Sequence, residues 1–346
     1  DQGNLYINAS QLPELASVFT DQPLTNYNLL GTLARSVFLD MKATDDRLLL
    51  NGFALTDDSV AYLGSLEGDQ GGAVGFKSLL PLNVATLIHL SIHDPVAWNQ
   101  KLRAYWARHI PAKIGYWSEI SSTYDCDPLA FIATQQQEMG IVTLSTIEEE
   151  APEKLIFLKS SDSEKSLQLL NELAMQAAEL RGEAVYSELF GNHDIVQIEV
   201  DEFPSILWGS TFSGFDQSFF TVVQDYIIIG SSISALKKMQ RSIELEETWG
   251  KSIVLNEFLE GSLQESNMSY FVNLSQVWNQ VTNSLSDPWK SFFNHNEAVF
   301  KKFGLARIQF SDIGDKFYTS GTLTFNYSAQ QMPDNSPMFR SCLLYT

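Results

Sequence analysis

One unit recurs five times in this chain: an extended apolar run, a polar elbow of Ser, Asp or Asn, and then apolar residues at helical spacing. It comes first in LYINASQLPELASVF, where residues 5–7 read as a strand and Leu12, Leu15, Ala16 and Phe19 share one helical face. TLIHLSIHDPVAWNQKLRAYW is the second. Its Asp94 suits an N-cap, and its Pro95 suits the first helical position, where a missing N–H costs no hydrogen bond. In the third, KLIFLKSSDSEKSLQLLNELAMQAAEL, Ser161 and Glu164 spell a capping box ahead of a stripe through Leu167, Leu170, Leu173 and Ala177. DYIIIGSSISALKKMQ and MSYFVNLSQVWNQVTNSL complete the set.

What joins these units limits the fold further. VFLDMKATDDRLLLNGFALT places two β-patterned runs around residues 44–46, and GLARIQFSDIGDKFYTSGTLTF repeats that layout around residues 312–315. SFFTVVQDYIIIG does the same around Gln224 and Asp225, and DIVQIEVDEFPSILWGSTFS reads as one more strand pair, broken by Pro204. Hairpins between helices imply antiparallel pairing, because a parallel pair needs a long crossover. Residues 5–56 and 269–326 each read strand, helix, linker, hairpin. Each also puts a Ser two residues beyond the Asn that ends its strand: Asn8 and Ser10, Asn273 and Ser275. The expected architecture is α+β: an antiparallel or mixed β-sheet with helices on one face, built from degenerate internal β-α-β-β repeats. Residues 1–330 are expected to form a single large α+β domain, with 1–150 and 151–330 as candidate pseudo-symmetric halves. Residues 331–346 read as a linker into a further domain.

The 346 residues are 44% hydrophobic, enough to bury a core of that size. Twenty-two Lys and Arg against 42 Asp and Glu leave a net charge of −20, which repels nucleic acid and anionic membrane surfaces. No apolar run is long enough to span a bilayer, so membrane association is expected only through a segment outside this sequence. The sequence opens at Asp1 rather than Met and ends in SPMFRSCLLYT, and it reads as part of a longer protein. Cys126 and Cys342 lie in no CxxC or Cys/His pattern, which leaves zinc and thiol chemistry without support.

Few short patterns bear chemistry. Gly68, Gly71, Gly72 and Gly75 form the one glycine cluster, but the GFKSLLP that follows lacks the Gly-Lys-Ser/Thr of a phosphate loop; a flexible surface loop is expected. Gly230 stands where a strand meets a helix, a place suited to a phosphate. Its sister elbows have no glycine, so Gly230 reads as local relief, with Ser231 or Ser232 capping the helix. His89 and His93 on one strand would stand roughly 13 Å apart, too far to share a metal ion, and packing or capping is expected of them. Ser210, in WGSTFSG, lacks the strand–turn–helix setting of a nucleophile elbow.

Acidic residues gather at turns: Asp45 with Asp46, Asp57 with Asp58, Asp125 with Asp127, Asp312 with Asp315. Asp125, Asp127, Asp312 and Asp315 are the candidate cation ligands, and paired carboxylates also suit glycoside hydrolysis. Turn and cap chemistry accounts for the same residues. The pattern singles out no catalytic residue and implies no cofactor.

RLLLNGFALTDDSVAYL, SLLPLNVATLIHLSIHDPVAW and FFTVVQDYIIIGSSISALKKM, in that order, resemble a family of large bacterial envelope proteins found chiefly in Bacteroidetes and grouped as a domain of unknown function. The likeness spans most of residues 5–326, and its motifs are structural phrases rather than chemical ones. It implies an exported, membrane-anchored protein of the periplasm or outer surface, with a further, often β-rich, region after the domain. It supplies no catalytic residues. These readings together give a non-enzymatic cell-envelope scaffold or binding domain, with other envelope proteins as expected partners. The alternatives are a hydrolase using the turn carboxylates, or a carrier of a small ligand or cation.

Overall fold

A computed structural model describes residues 2–21, 28–56, 61–145 and 151–326. The expected linker at 331–346, Cys342, and the pair Asp57 and Asp58 lie outside the described residues. The first strands are β1 (Gln2–Asn8), β2 (Ser36–Ala43), β3 (Arg47–Leu55), β4 (Val84–Ser91), β5 (Gln135–Leu144) and β6 (Lys154–Ser160). There follow β7 (Ser187–Phe190), β8 (His193–Ile198), β9 (Ser218–Val223), β10 (Tyr226–Gly230), β11 (Met268–Asn273), β12 (Phe303–Asp312) and β13 (Phe317–Phe325). Between them run α1 (Leu12–Phe19), α2 (Asn28–Thr32), α3 (Pro95–His109), α4 (Ala112–Thr123), α5 (Pro128–Ile132) and α6 (Ser163–Arg181). The remaining helices are α7 (Phe203–Trp208), α8 (Ile233–Glu244), α9 (Ile253–Glu260), α10 (Leu274–Ser284), α11 (Asp287–His295) and α12 (Glu297–Phe300).

All 13 strands join one sheet, in the order β1-β2-β3-β13-β12-β11-β4-β5-β6-β10-β9-β8-β7. Every neighbouring pair is antiparallel. The order resolves into four β-α-β-β units, each a strand, a helical connection and two strands paired beside it: β1 to β3, β4 to β6, β8 to β10, and β11 to β13. The first and last units meet through β3 and β13, the middle two through β6 and β10, and β11 beside β4 joins the two pairs. Both junctions within pairs are antiparallel, which sets each pair about an approximate two-fold axis. The likeness of the two ends extends to atoms: Ser10 Oγ donates to Asn8 Oδ1 at 2.9 Å, and Ser275 Oγ to Asn273 Oδ1 at 2.7 Å.

The third unit departs from the sequence reading. Residues 203–208 form α7 rather than a strand; Pro204 sits in its first turn, where it breaks no helical hydrogen bond. α6 is capped by Asp162, whose Oδ1 accepts from the Lys165 N–H at 2.9 Å, while Ser161 Oγ donates to the Thr134 carbonyl instead. The other elbows follow expectation. Asp94 caps α3, and Ser232 caps α8 by accepting from the Ala235 N–H at 3.0 Å. Gly230 holds no anion loop together: a Cβ there would lie 2.8 Å from Leu236 Cγ, so it lets α8 fold back over β10.

Alternate residues of the central strands point to opposite faces. Ile156, Leu158, Ile227 and Ile229 enter one core with Trp98 and Trp106 of α3, Leu170 of α6 and Leu207 of α7. Leu155, Phe157, Tyr226 and Ile228 enter a second core with Leu236 of α8, Phe258 of α9, Phe76 and Trp249. The helical layer expected on one face is thus joined, over the middle of the sheet, by a layer on the other. At the β1 end the pattern changes: Val37 and Leu39 of β2 join the first core, whereas Phe38 between them is 47% exposed. No helix among the described residues is long and apolar enough to cross a membrane.

Candidate functional site

The open face at the β1 end carries an ordered row of rings. Register sets Tyr6 opposite Phe38, Phe38 opposite Phe53 and Phe53 opposite Tyr318, on four adjacent strands. Tyr6 is 59% exposed and Phe53 39%. The Tyr6 and Phe38 ring centroids lie 4.9 Å apart, those of Phe53 and Tyr318 6.1 Å apart, and the Lys316 ammonium stands 4.7 Å from the Phe53 centroid. Two residues along each strand, on the same face, runs a polar row of Asn4, Asp40, Asn51 and Ser320. Tyr318 Oη and Ser320 Oγ both donate to Asn51 Oδ1 at 3.2 Å, and the Asn51 amide nitrogen has no acceptor among the described residues. The rings are inclined to one another, by 48° for Tyr6 and Phe38 and 69° for Phe53 and Tyr318; bordered by amide, carboxylate and hydroxyl groups, they offer ring faces and edges beside hydrogen-bonding groups. Contiguous exposed aromatic area of this kind marks interaction surfaces.

None of these four ring positions is among the sequence-predicted site residues. The signal was present in VFLDMK. Phe38 shares its phase with Asp40 and Lys42, not with Val37 and Leu39.

A second polar group lies buried beside Phe76, where β4, β5 and β10 bring His89, Glu138 and Tyr226 together. Glu138 of β5 is 7% exposed, and its carboxylate accepts from Tyr226 Oη at 2.5 Å, from the Gly75 N–H at 2.8 Å and from His89 Nε2 at 3.1 Å. Burial alone would raise the Glu138 pKa; the donors from His89, Tyr226 and Gly75 outweigh it and hold the carboxyl below its ordinary value. Burial, with the neighbouring carboxylate, pushes the Tyr226 hydroxyl up. His89 Nε2 donates to Glu138, and its Nδ1 has no hydrogen-bond partner among the described residues. Phe76 closes the site: its ring centroid is 6.0 Å from those of both His89 and Tyr226, and it stacks on Phe157 at 4.9 Å. His, Glu and Tyr are acid–base residues, but this sealed arrangement serves as a polar pin between β4, β5 and β10.

Of the glycine cluster, expected as a flexible surface loop, Gly68 and Gly75 are exposed, while Gly71 and Gly72 run against residues 265 and 266. A Cβ on Gly71 would fall 2.2 Å from the Glu265 carbonyl oxygen, and one on Gly75 2.3 Å from Glu138 Oε1. Close backbone approach, not phosphate binding or mobility, requires glycine there.

The four candidate carboxylates divide between two places. Asp312 caps the β12–β13 turn through the Gly314 N–H at 2.9 Å and pins the glycine loop through the Gly68 N–H at 2.5 Å; Asp315 is exposed in the same turn. Asp127 caps α5 by accepting from the Leu129 N–H at 3.0 Å. Asp125, in the left-handed region with φ 42°, and Asp127 lie with Glu172 on a cavity of about 240 Å³ between α5, α6 and α7. No group of three or more His, Cys, Asp or Glu that could hold a metal ion occurs among the described residues. Ser210 opens a single 3-10 turn after α7, away from any nucleophile elbow.

No family model, curated protein or solved structure matches this chain.

Proposed function

We propose that the chain is a non-enzymatic binding domain of the cell envelope that holds a neutral glycan chain along the row of Tyr6, Phe38, Phe53 and Tyr318. The observation that carries this reading is the aromatic row and its polar border, aligned by strand register on a face where Tyr6, Phe38 and Phe53 stay exposed among the described residues. The envelope setting rests on the resemblance to exported envelope proteins.

Strands stand about 4.8 Å apart, so four rings offer a strip of about 14 Å, long enough for a short oligosaccharide. The C–H faces of sugar rings stack on aromatic faces, and their hydroxyls pair with the Asn4, Asp40 and Asn51 side chains beside the row. Nucleic acid uses similar stacking surfaces but depends on cationic grooves, and a net charge of −20 opposes it. The hydrolase alternative has less support, since Asp312 is committed to two backbone N–H groups and Asp125 and Asp127 belong to another part of the fold.

Affinity electrophoresis in native gels cast with soluble neutral polysaccharides tests the proposal. At least one polysaccharide is expected to retard the wild-type chain, and Phe38→Ala with Phe53→Ala should abolish the retardation without changing the circular dichroism spectrum. Base–aromatic stacking is worth about 1–3 kcal/mol per ring, so two losses of similar size weaken binding by at least about 30-fold. Equal retardation of both proteins, or none by any neutral polysaccharide, would sink the reading.

A further inference from the structure

We propose a second ligand site, independent of the aromatic row: the cavity between α5, α6 and α7 takes a small hydrophobic amine, with its ammonium at the carboxylate rim and its apolar tail inside. The walls include Phe131, Leu170, Leu173 and Leu207, while Asp125, Asp127 and Glu172 are exposed at the rim, and no Lys or Arg lines the space. None of these three carboxylates forms an ion pair among the described residues. The rim is therefore a concentration of negative charge without a counter-ion among the described residues.

Two further observations point to an N–H donor. Gln176 Oε1, in the same wall, is buried and has no hydrogen-bond donor among the described residues, a costly arrangement that an ammonium would relieve. The Cys126 thiol, also in the wall between Asp125 and Asp127, is pushed up by burial and then by the charges of Asp127 and Asp125, the direction expected beside carboxylates that lack a cation. A bare divalent cation is disfavoured, because the required grouping of three ligands is absent among the described residues and the walls are apolar. A volume of about 240 Å³ falls below the roughly 300–1,000 Å³ of drug-sized sites, which limits the occupant to a short aryl or alkyl amine.

Phenethylamine is the probe, with phenylacetate and 2-phenylethanol as controls of similar size and different charge. Titration calorimetry reads binding, and in a Cys342→Ser background the rate of Cys126 alkylation by iodoacetamide reads occupancy of the cavity itself. Phenethylamine is expected to bind and to slow alkylation, and the two controls to do neither. Asp125→Asn and Glu172→Gln, both at the exposed rim, should each weaken binding about two- to five-fold, the range of exposed ion pairs. Leu173→Trp should fill the cavity and abolish it; should that variant fail to fold, the rim variants decide alone. Equal protection by phenylacetate, rim variants without effect, or no binding of phenethylamine would each overturn the site. None of these outcomes bears on the glycan reading, which uses another face.

Discussion

The buried Glu138 carboxylate ties together three separate segments of the chain. Three donors from three separate segments converge on its carboxylate, and none of them has another acceptor in view. Its folded pKa lies below the ordinary 4.5. The sign follows: its ionised form is favoured in the folded state, so the stabilisation is complete above about pH 4.5 and is lost as pH falls through the lower folded value. Glu138→Gln places an amide among three donors and is expected to cost about 1–3 kcal/mol at pH 7. The gap from wild type should narrow below pH 4.5, and urea titrations between pH 3 and 7 measure both effects. An unchanged gap across that range would show that charge at this site contributes nothing. The pin was illegible in the sequence for a local reason. Gln137 adopts φ 59° and breaks the β5 register between Gln135 and Met139, so simple alternation through QQQEMG cannot tell which face Glu138 takes.

At the scale of elements, what could be read was what is decided within a few residues. Asp94, Ser232 and the Asn8 and Ser10 pair work over two or three positions, and the sequence displays them directly. The six-residue α7 failed that reading because Ile206, Leu207 and Trp208 suit a strand equally well and tertiary burial decides between them. Strand β2 shows the same tension between identity and phase. Phe38→Ser removes a large apolar residue from the open face and should change stability by less than about 0.5 kcal/mol. Val37→Ser removes a smaller one from the core and should cost more than about 1.5 kcal/mol. Thermal melts of the two variants check the contrast, and a Phe38→Ser loss as large as that of Val37→Ser would mean that something packs on the row.

For the whole molecule, the four units make one continuous sheet whose outer pair joins residues from the two ends of the chain. Their likeness was legible, because a repeated pattern leaves a trace in sequence. Their pairing was not: Leu50 lies opposite Gly321, a contact across the length of the chain that no local pattern records. Deleting residues 1–56 removes β1 to β3 and leaves β13, nine residues long, as a bare edge. Long unprotected edges recruit other strands. The truncated chain is expected to elute from a sizing column as oligomers or aggregate where the intact chain does not; a well-behaved monomer would show that β13 needs no cover.

The junction of β3 with β13 also sets an order in time. The middle units, residues 84–230, have their own partners and can close as soon as β10 is available. The first three strands emerge early yet must wait for residues 317–325 before their inner edge is satisfied. Contacts of such separation form late, since the loop entropy comes before the reward. The aromatic face therefore waits on β13, and a chain that displays it in register has already paired residues 47–54 with residues 317–324.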